Sequence, residues 1–192
     1  EFAEMLSEMI GELNVSHAGA RYSRSIPEED ATASLGVFVD YSHKDNGVLI
    51  AEILKGGPLD KANLDITAGM VIEKIDGMEI TADTDWAKYL NRKADRFTSL
   101  EVRAPKGTSK TVTVKPITLQ AENLLLYKRW VKKNQDEVDS LSKGQLGYVH
   151  IPGMSDGPFR SVYEEMMGKY HDRKGVIVDT RFNGGGDLVA DL

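Results

Sequence analysis

In GELNVSHAGARY, residues 11–22, a hydroxyl and an imidazole stand side by side at Ser16-His17, and a glycine follows at Gly19. An imidazole accepts a proton near neutral pH and can return it to a leaving group, provided another group orients its second nitrogen. Far along the chain, FNGGGD places Gly184, Gly185 and Gly186 after the apolar run KGVIVDT. Glycines let backbone N–H groups approach a developing oxyanion, and open α/β sheets place their sites at the carboxyl ends of strands. A third stretch, GMSDG at 153–157, fits the G-x-S-x-G pattern of a nucleophile elbow around Ser155. Each stretch also has a plainer reading. His17 can end a helix, where a cation meets the dipole favourably, and the glycines can form a turn. An elbow at Ser155 needs an acid and a histidine after it in a full sheet, for which residues 158–192 leave no room. Of the other histidines, His43 reads as a loop residue, His150 as a strand residue and His171 as a solvated helix end; none has metal-ligand spacing.

Periodicity supplies the elements that must carry these residues. Phe2, Met5, Leu6, Met9, Ile10 and Leu13 recur at three- and four-residue steps, which predicts a helix ahead of Ser16. RSIPEEDATAS reads as a linker. From Leu35 the pattern is that of strands, in LGVFVDY and GVLIAEIL. A short helix is expected after Pro58, in KGGPLDKANL. GMVIEKIDGMEI predicts a hairpin about Asp76-Gly77. DTDWAKYLNRKA predicts a helix with Trp86, Leu90 and the Lys93 stem on one face and Asp83 or Thr84 as its cap. SLEVRAPKGTSKTVTVKP predicts two strands and a tight turn. A long charged helix follows in AENLLLYKRWVKKNQDEVDSL, with Leu124, Leu125, Tyr127, Val131 and Val138 only partly on one face. Strand GQLGYVHIP, helix GPFRSVYEEMMGKYHD and strand KGVIVDT then compose a βαβ unit. The unbroken apolar character of KGVIVDT predicts a strand covered on both faces.

Composition narrows the class of protein. A hydrophobic share of 41% supports a globular core, and a net charge near −6 argues against a nucleic-acid partner. No apolar run reaches the roughly 20 residues of a membrane span. There are no cysteines, hence no disulfide framework, thiolate metal site or cysteine nucleophile. A soluble protein is expected, and the compartment stays open between cytoplasm and periplasm. The first helix starts inside its own pattern, and NGGGDLVADL stops as a helix begins, so the chain reads as part of a longer protein.

GGPLDKANLDITAGMVIEKIDGMEI resembles the turn, small helix, turn and hairpin of a protease PDZ domain. LGVFV stands where such domains receive a peptide by strand addition, which implies peptide binding by Leu35, Gly36, Val37 and Phe38. Taken in order with GELNVSHAGARY before it and GYVHIP and GVIVDTRFNGGGDLV after it, this unit resembles the tricorn-type serine peptidases, relatives of the C-terminal (tail-specific) processing peptidases. The resemblance implies His17 as general base, Ser16 as part of its orienting relay and one of Gly184, Gly185 and Gly186 in an oxyanion hole. The family's glutamate and nucleophilic serine find no counterpart here. The implied fold is α+β: a PDZ-like, partly open β-barrel over 35–117, between an N-terminal helical segment at 1–34 and the start of an α/β catalytic subdomain at 118–192. The implied function is part of a serine endopeptidase acting on peptides or unfolded protein tails, inactive by itself, without metal or cofactor, its parent a candidate homo-oligomer. The competing expectation is a peptide-binding PDZ module without catalysis.

Overall fold

The computed structural model describes residues 1–14, 18–22, 26 and 29–186. They divide into two compact units, Glu1–Ala31 and Thr32–Leu192. In the first, helix α1 (Phe2–Gly11) carries the predicted periodic positions except Leu13, which lies past its end, with Glu4 in its first turn, where the helix dipole favours an acid. Phe2, Met5, Met9 and Leu13 remain exposed. A Cβ on Gly19 would lie 3.3 Å from Ser7 Oγ, so Gly19 lies beside this helix. Ser16 and His17 lie outside the described residues.

The second unit is built on an open antiparallel sheet. Its strands are β1 (Val37–Val39), β2 (Val48–Ile53), β3 (Val71–Ile75), β4 (Met78–Glu79), β5 (Thr98–Arg103) and β6 (Ser109–Val114). The order is β1-β2-β3-β5-β6, and β4 pairs with β3. Thr98, Leu100 and Val102 of β5 point inward while Ser99, Glu101 and Arg103 are half-buried, the two-residue alternation of a one-sided strand. Leu100 and Val102 meet Ile50, Ile72, Ile75 and Leu90 in the core. Asp76 and Gly77, at φ 49° and 78°, form the predicted hairpin turn; both central residues need positive φ, which Asp-Gly tolerates. The two expected short helices are instead 3₁₀ turns, Ala62–Leu64 and Trp86–Leu90. Neither Asp83 nor Thr84 caps the second; Thr84 Oγ1 accepts the Thr81 N–H instead. Leu90 is buried and Lys93 pairs with Asp76 at 2.5 Å.

Helix α2 (Leu119–Ser142) starts where Thr118 accepts the Ala121 N–H at 3.1 Å. It ends on Lys143 and Gly144 in left-handed conformation, their N–H groups returning to Ser140 and Asp139 carbonyls. α2 packs on β7 (Leu146–His150), which runs parallel to β8 (Gly175–Asp179); α3 (Asp156–Glu164) and a π turn at Glu165–Lys169 make the crossover. A Cβ on Gly147 would sit 2.5 Å from the Tyr170 ring, so the close approach of ring to strand requires glycine. The architecture is α+β, with the antiparallel sheet unclosed. β8 departs from expectation. Ile177 and Val178 are 43% and 46% exposed, because among the described residues β8 pairs only with β7 and no layer covers its outer part. Among the described residues no helix is long and apolar enough to cross a membrane.

Candidate active site

The chain leaves β8 through Asp179 and turns into the glycine loop at the carboxyl ends of the two parallel strands. A count of that loop's hydrogen bonds shows what it can offer. Gly184 N–H donates to the Pro152 carbonyl at 3.0 Å. Gly185 N–H donates to Asn183 Oδ1 at 2.7 Å, while Asn183 Nδ2 donates to the Ile151 carbonyl at 2.9 Å. The Gly185 carbonyl accepts from Met154 N–H at 2.8 Å. Among the described residues, Gly186 N–H alone of the three glycine amides has no partner. A Cβ on Gly186 would overlap the Met154 carbonyl oxygen, and its φ of 134° is open only to glycine. The loop is therefore anchored to the chain leaving β7, and among the described residues its Gly186 amide is unspent.

Upstream, charge fixes the loop's root. The Arg181 guanidinium grips the Asp179 carboxylate through Nε and Nη2, and Arg181 N–H donates to the same group at 2.9 Å. Tyr148 Oη adds a 2.6 Å hydrogen bond. Hydrogen bonding from Arg181, foremost, holds the Asp179 carboxyl well below the usual carboxylate range. Burial, and then the hydrogen bond to Asp179, push the Tyr148 phenol up to about 12. Beside them His150, 8% exposed at the end of β7, reaches the Arg181 carbonyl through Nε2 at 2.7 Å and Tyr127 Oη through Nδ1 at 2.9 Å. Sequence reasoning read His150 only as a strand residue. Both its partners lie more than 20 residues away, and the one available signal was a polar ring in an otherwise apolar strand.

A model of the tricorn protease PDZ domain matches residues 35–118, and one of peptidase family S41 matches residues 145–192. The chain is 33% identical over 195 residues to a tricorn protease homolog of Saccharolobus solfataricus, an alignment covering 97% of this chain and 18% of the homolog. It is 26% identical over 194 residues to the tricorn protease of Thermoplasma volcanium, with 97% and 18% covered. Its fold matches a crystal structure of the tricorn protease with a TM-score of 0.77 at 25% identity, over 94% of this chain and 18% of that one. The chain belongs with the tricorn-type peptidases. It spans about a fifth of the length of these relatives.

In this tricorn-type chain the PDZ turn is occupied from within. Leu35 is buried in the sheet's core. Gly36 N–H donates to Ser34 Oγ at 2.9 Å, and the Gly36 carbonyl accepts from Leu54 N–H. Ser34 in turn donates to the Glu122 carboxylate of α2. Val37 is half-buried against the core, and the Phe38 ring lies under the Arg129 guanidinium, 4.7 Å from its centroid. Arg129 also pairs with Glu52, the cross-strand neighbour of Phe38. α2 thus holds the very strand at which a peptide was expected.

Of the remaining candidates, Ser155 lies beside the glycine loop, next to Met154, which bridges to Gly186. Ser155 begins α3 at φ −145° and ψ 166°, relaxed extended backbone rather than the strained corner of a nucleophile elbow. His43 is a half-buried loop residue, and His171 binds the Gly168 carbonyl beyond α3. The structure brings Gly184, Gly185 and Gly186 into one loop; Ser16 and His17 fall outside its described residues.

Proposed function

We propose that the chain supplies the base and oxyanion donor of a serine endopeptidase that cleaves extended peptides or unfolded protein tails. In this reading residues 1–34 carry the base, 35–117 form the PDZ domain and 118–192 begin the catalytic subdomain. A serine hydroxyl from elsewhere in a longer protein attacks the scissile carbonyl and gives its proton to His17. Ser16 helps to orient that imidazole. Gly186 N–H stabilises the oxygen as it becomes negative, and His17 then returns the proton to the departing amine. The observation that carries the reading is the single unspent glycine amide at the carboxyl end of a parallel strand pair, in a tricorn-type chain.

His17→Ala in the longer protein tests it. Peptide cleavage should fall by at least about 10²-fold with folding intact, the scale of a lost general base, and the 192-residue chain alone should show no turnover. Unchanged cleavage by the variant would remove the assignment. Peptide capture at Leu35–Phe38 is the weaker reading, because Gly36 N–H is already spent on Ser34 and Glu122 sets a negative charge beside it.

A further inference from the structure

Arg181, the residue that launches the glycine loop, is pinned through both of its backbone polar groups. Arg181 N–H is held by Asp179 Oδ1 at 2.9 Å, and the Arg181 carbonyl receives His150 Nε2 at 2.7 Å. A carbonyl oxygen can only accept, so Nε2 carries the proton, and in the uncharged ring Nδ1 accepts from Tyr127 Oη. The imidazole is buried, with the Trp130 ring edge-on to it at 4.8 Å. Immediately after this pinned residue the backbone turns left-handed at Phe182, φ 61°. That conformation is unfavourable for a bulky residue, and the Phe182 side chain does not repay it through burial, since the residue is 86% exposed. The corner is restrained by the hydrogen bonds at Arg181, by the Asn183 N–H to the Thr180 carbonyl and by the Phe182 ring set edge-on to Trp130.

We propose that His150 is a positioning residue: by donating Nε2–H to the Arg181 carbonyl it fixes the corner from which Gly186 presents its free amide, and Tyr127 fixes the imidazole. The peptidase reading enters only in saying what that amide is for. His150 touches none of the reacting atoms in this account. Its contribution is the direction in which the loop leaves β8.

The test compares His150→Leu, which removes the donor, with His150→Gln, whose amide restores an N–H for Arg181 and an oxygen for Tyr127 but not the ring packing on Trp130. In the 192-residue chain, amide hydrogen exchange should speed up by at least about 10-fold at Gly184 and Gly185 in the leucine variant and return toward the native rate in the glutamine variant. In the longer peptidase kcat should fall about 10²-fold with leucine, the scale of a misplaced site group, with KM little changed and kcat largely rescued by glutamine. A folded leucine variant with native exchange at the loop overturns the proposal. So does a folded glutamine variant whose loop exchanges as fast as the leucine variant's, since that pattern marks ring packing. Should the leucine variant unfold, the glutamine variant decides alone: native loop exchange supports the proposal, and a loosened loop on a protected β7 overturns it. A native longer protein that cleaves no peptide removes the peptidase reading and leaves the exchange comparison standing.

Discussion

Gly36 and Gly186 sit in two glycine turns with opposite hydrogen-bond balances. At the first, the glycine amide is satisfied by Ser34 and the carbonyl by Leu54, and the turn is closed. At the second, side-chain and backbone partners take the amides of Gly184 and Gly185 and stop one short. A glycine in a turn advertises only that the backbone can approach something. Which of the two turns can receive a ligand is decided by where each N–H already points: the buried Gly36 amide is spent inside the protein, and the exposed Gly186 amide is open to water or a ligand.

The largest expected effects lie within the glycine loop and should differ by position. Gly186→Ala forces a Cβ against the Met154 carbonyl at a φ that only glycine adopts, so the loop must rebuild and destabilisation should exceed about 2 kcal/mol. Gly185→Ala meets open space but keeps φ 84°, which should cost about 1–2 kcal/mol. Gly184→Ala meets only the Pro152 oxygen at 3.8 Å, ordinary contact, and should change stability by less than about 0.5 kcal/mol. Thermal unfolding of the three variants checks the order. An equal cost at all three would mean that the loop is not built as described.

The PDZ turn should yield a smaller effect. The native chain should bind free-carboxylate peptides no more tightly than about 1 mM, or about −4 kcal/mol. Ser34→Ala with Glu122→Gln releases the Gly36 amide and removes the neighbouring charge, and should tighten binding about tenfold, or about 1.4 kcal/mol. Micromolar binding by the native chain in a peptide titration would erase the contrast between the two turns.

Smallest is an acid effect confined to the glycine loop. The folded-state pKa of Asp179 is depressed, so the stability it contributes is present above its unfolded value near 3.8 and is lost as pH falls toward the lower folded value. Loop exchange should therefore begin to quicken below about pH 4, and Asp179→Asn should remove that component. At the other extreme, the raised Tyr148 pKa keeps its contribution below the ordinary phenol range and loses it as pH rises toward about 12.

Local chemistry made much of the fold legible in the sequence. Asp76-Gly77 specified its hairpin, the alternation in SLEVR specified a one-sided strand, and the strand–helix–strand order at 146–179 specified the parallel pair. Where the expectation departed, the deciding partner was distant or missing. The apolar run of β8 anticipated two covered faces, but strand pairing and packing reach only part of it. Trp86–Leu90 has helical spacing, yet its turn is tightened into a 3₁₀ form as Trp86, Tyr89 and Leu90 dock on the sheet. The glycine loop could be picked out from composition, but which amide stays free depends on Pro152, Met154 and Asn183. The Ser34–Glu122 bond spans 88 positions, and no spacing rule reaches that far.

The most direct measurement replaces the backbone N–H of residue 186 by an ester oxygen in the longer protein, with the same replacement at residue 184 as reference. If Gly186 holds the oxyanion, kcat should fall by about 10²–10³ with KM little changed, the cost of one lost oxyanion donor, while the change at Gly184 should act mainly on stability. An ester at residue 186 that leaves kcat unchanged would contradict the account.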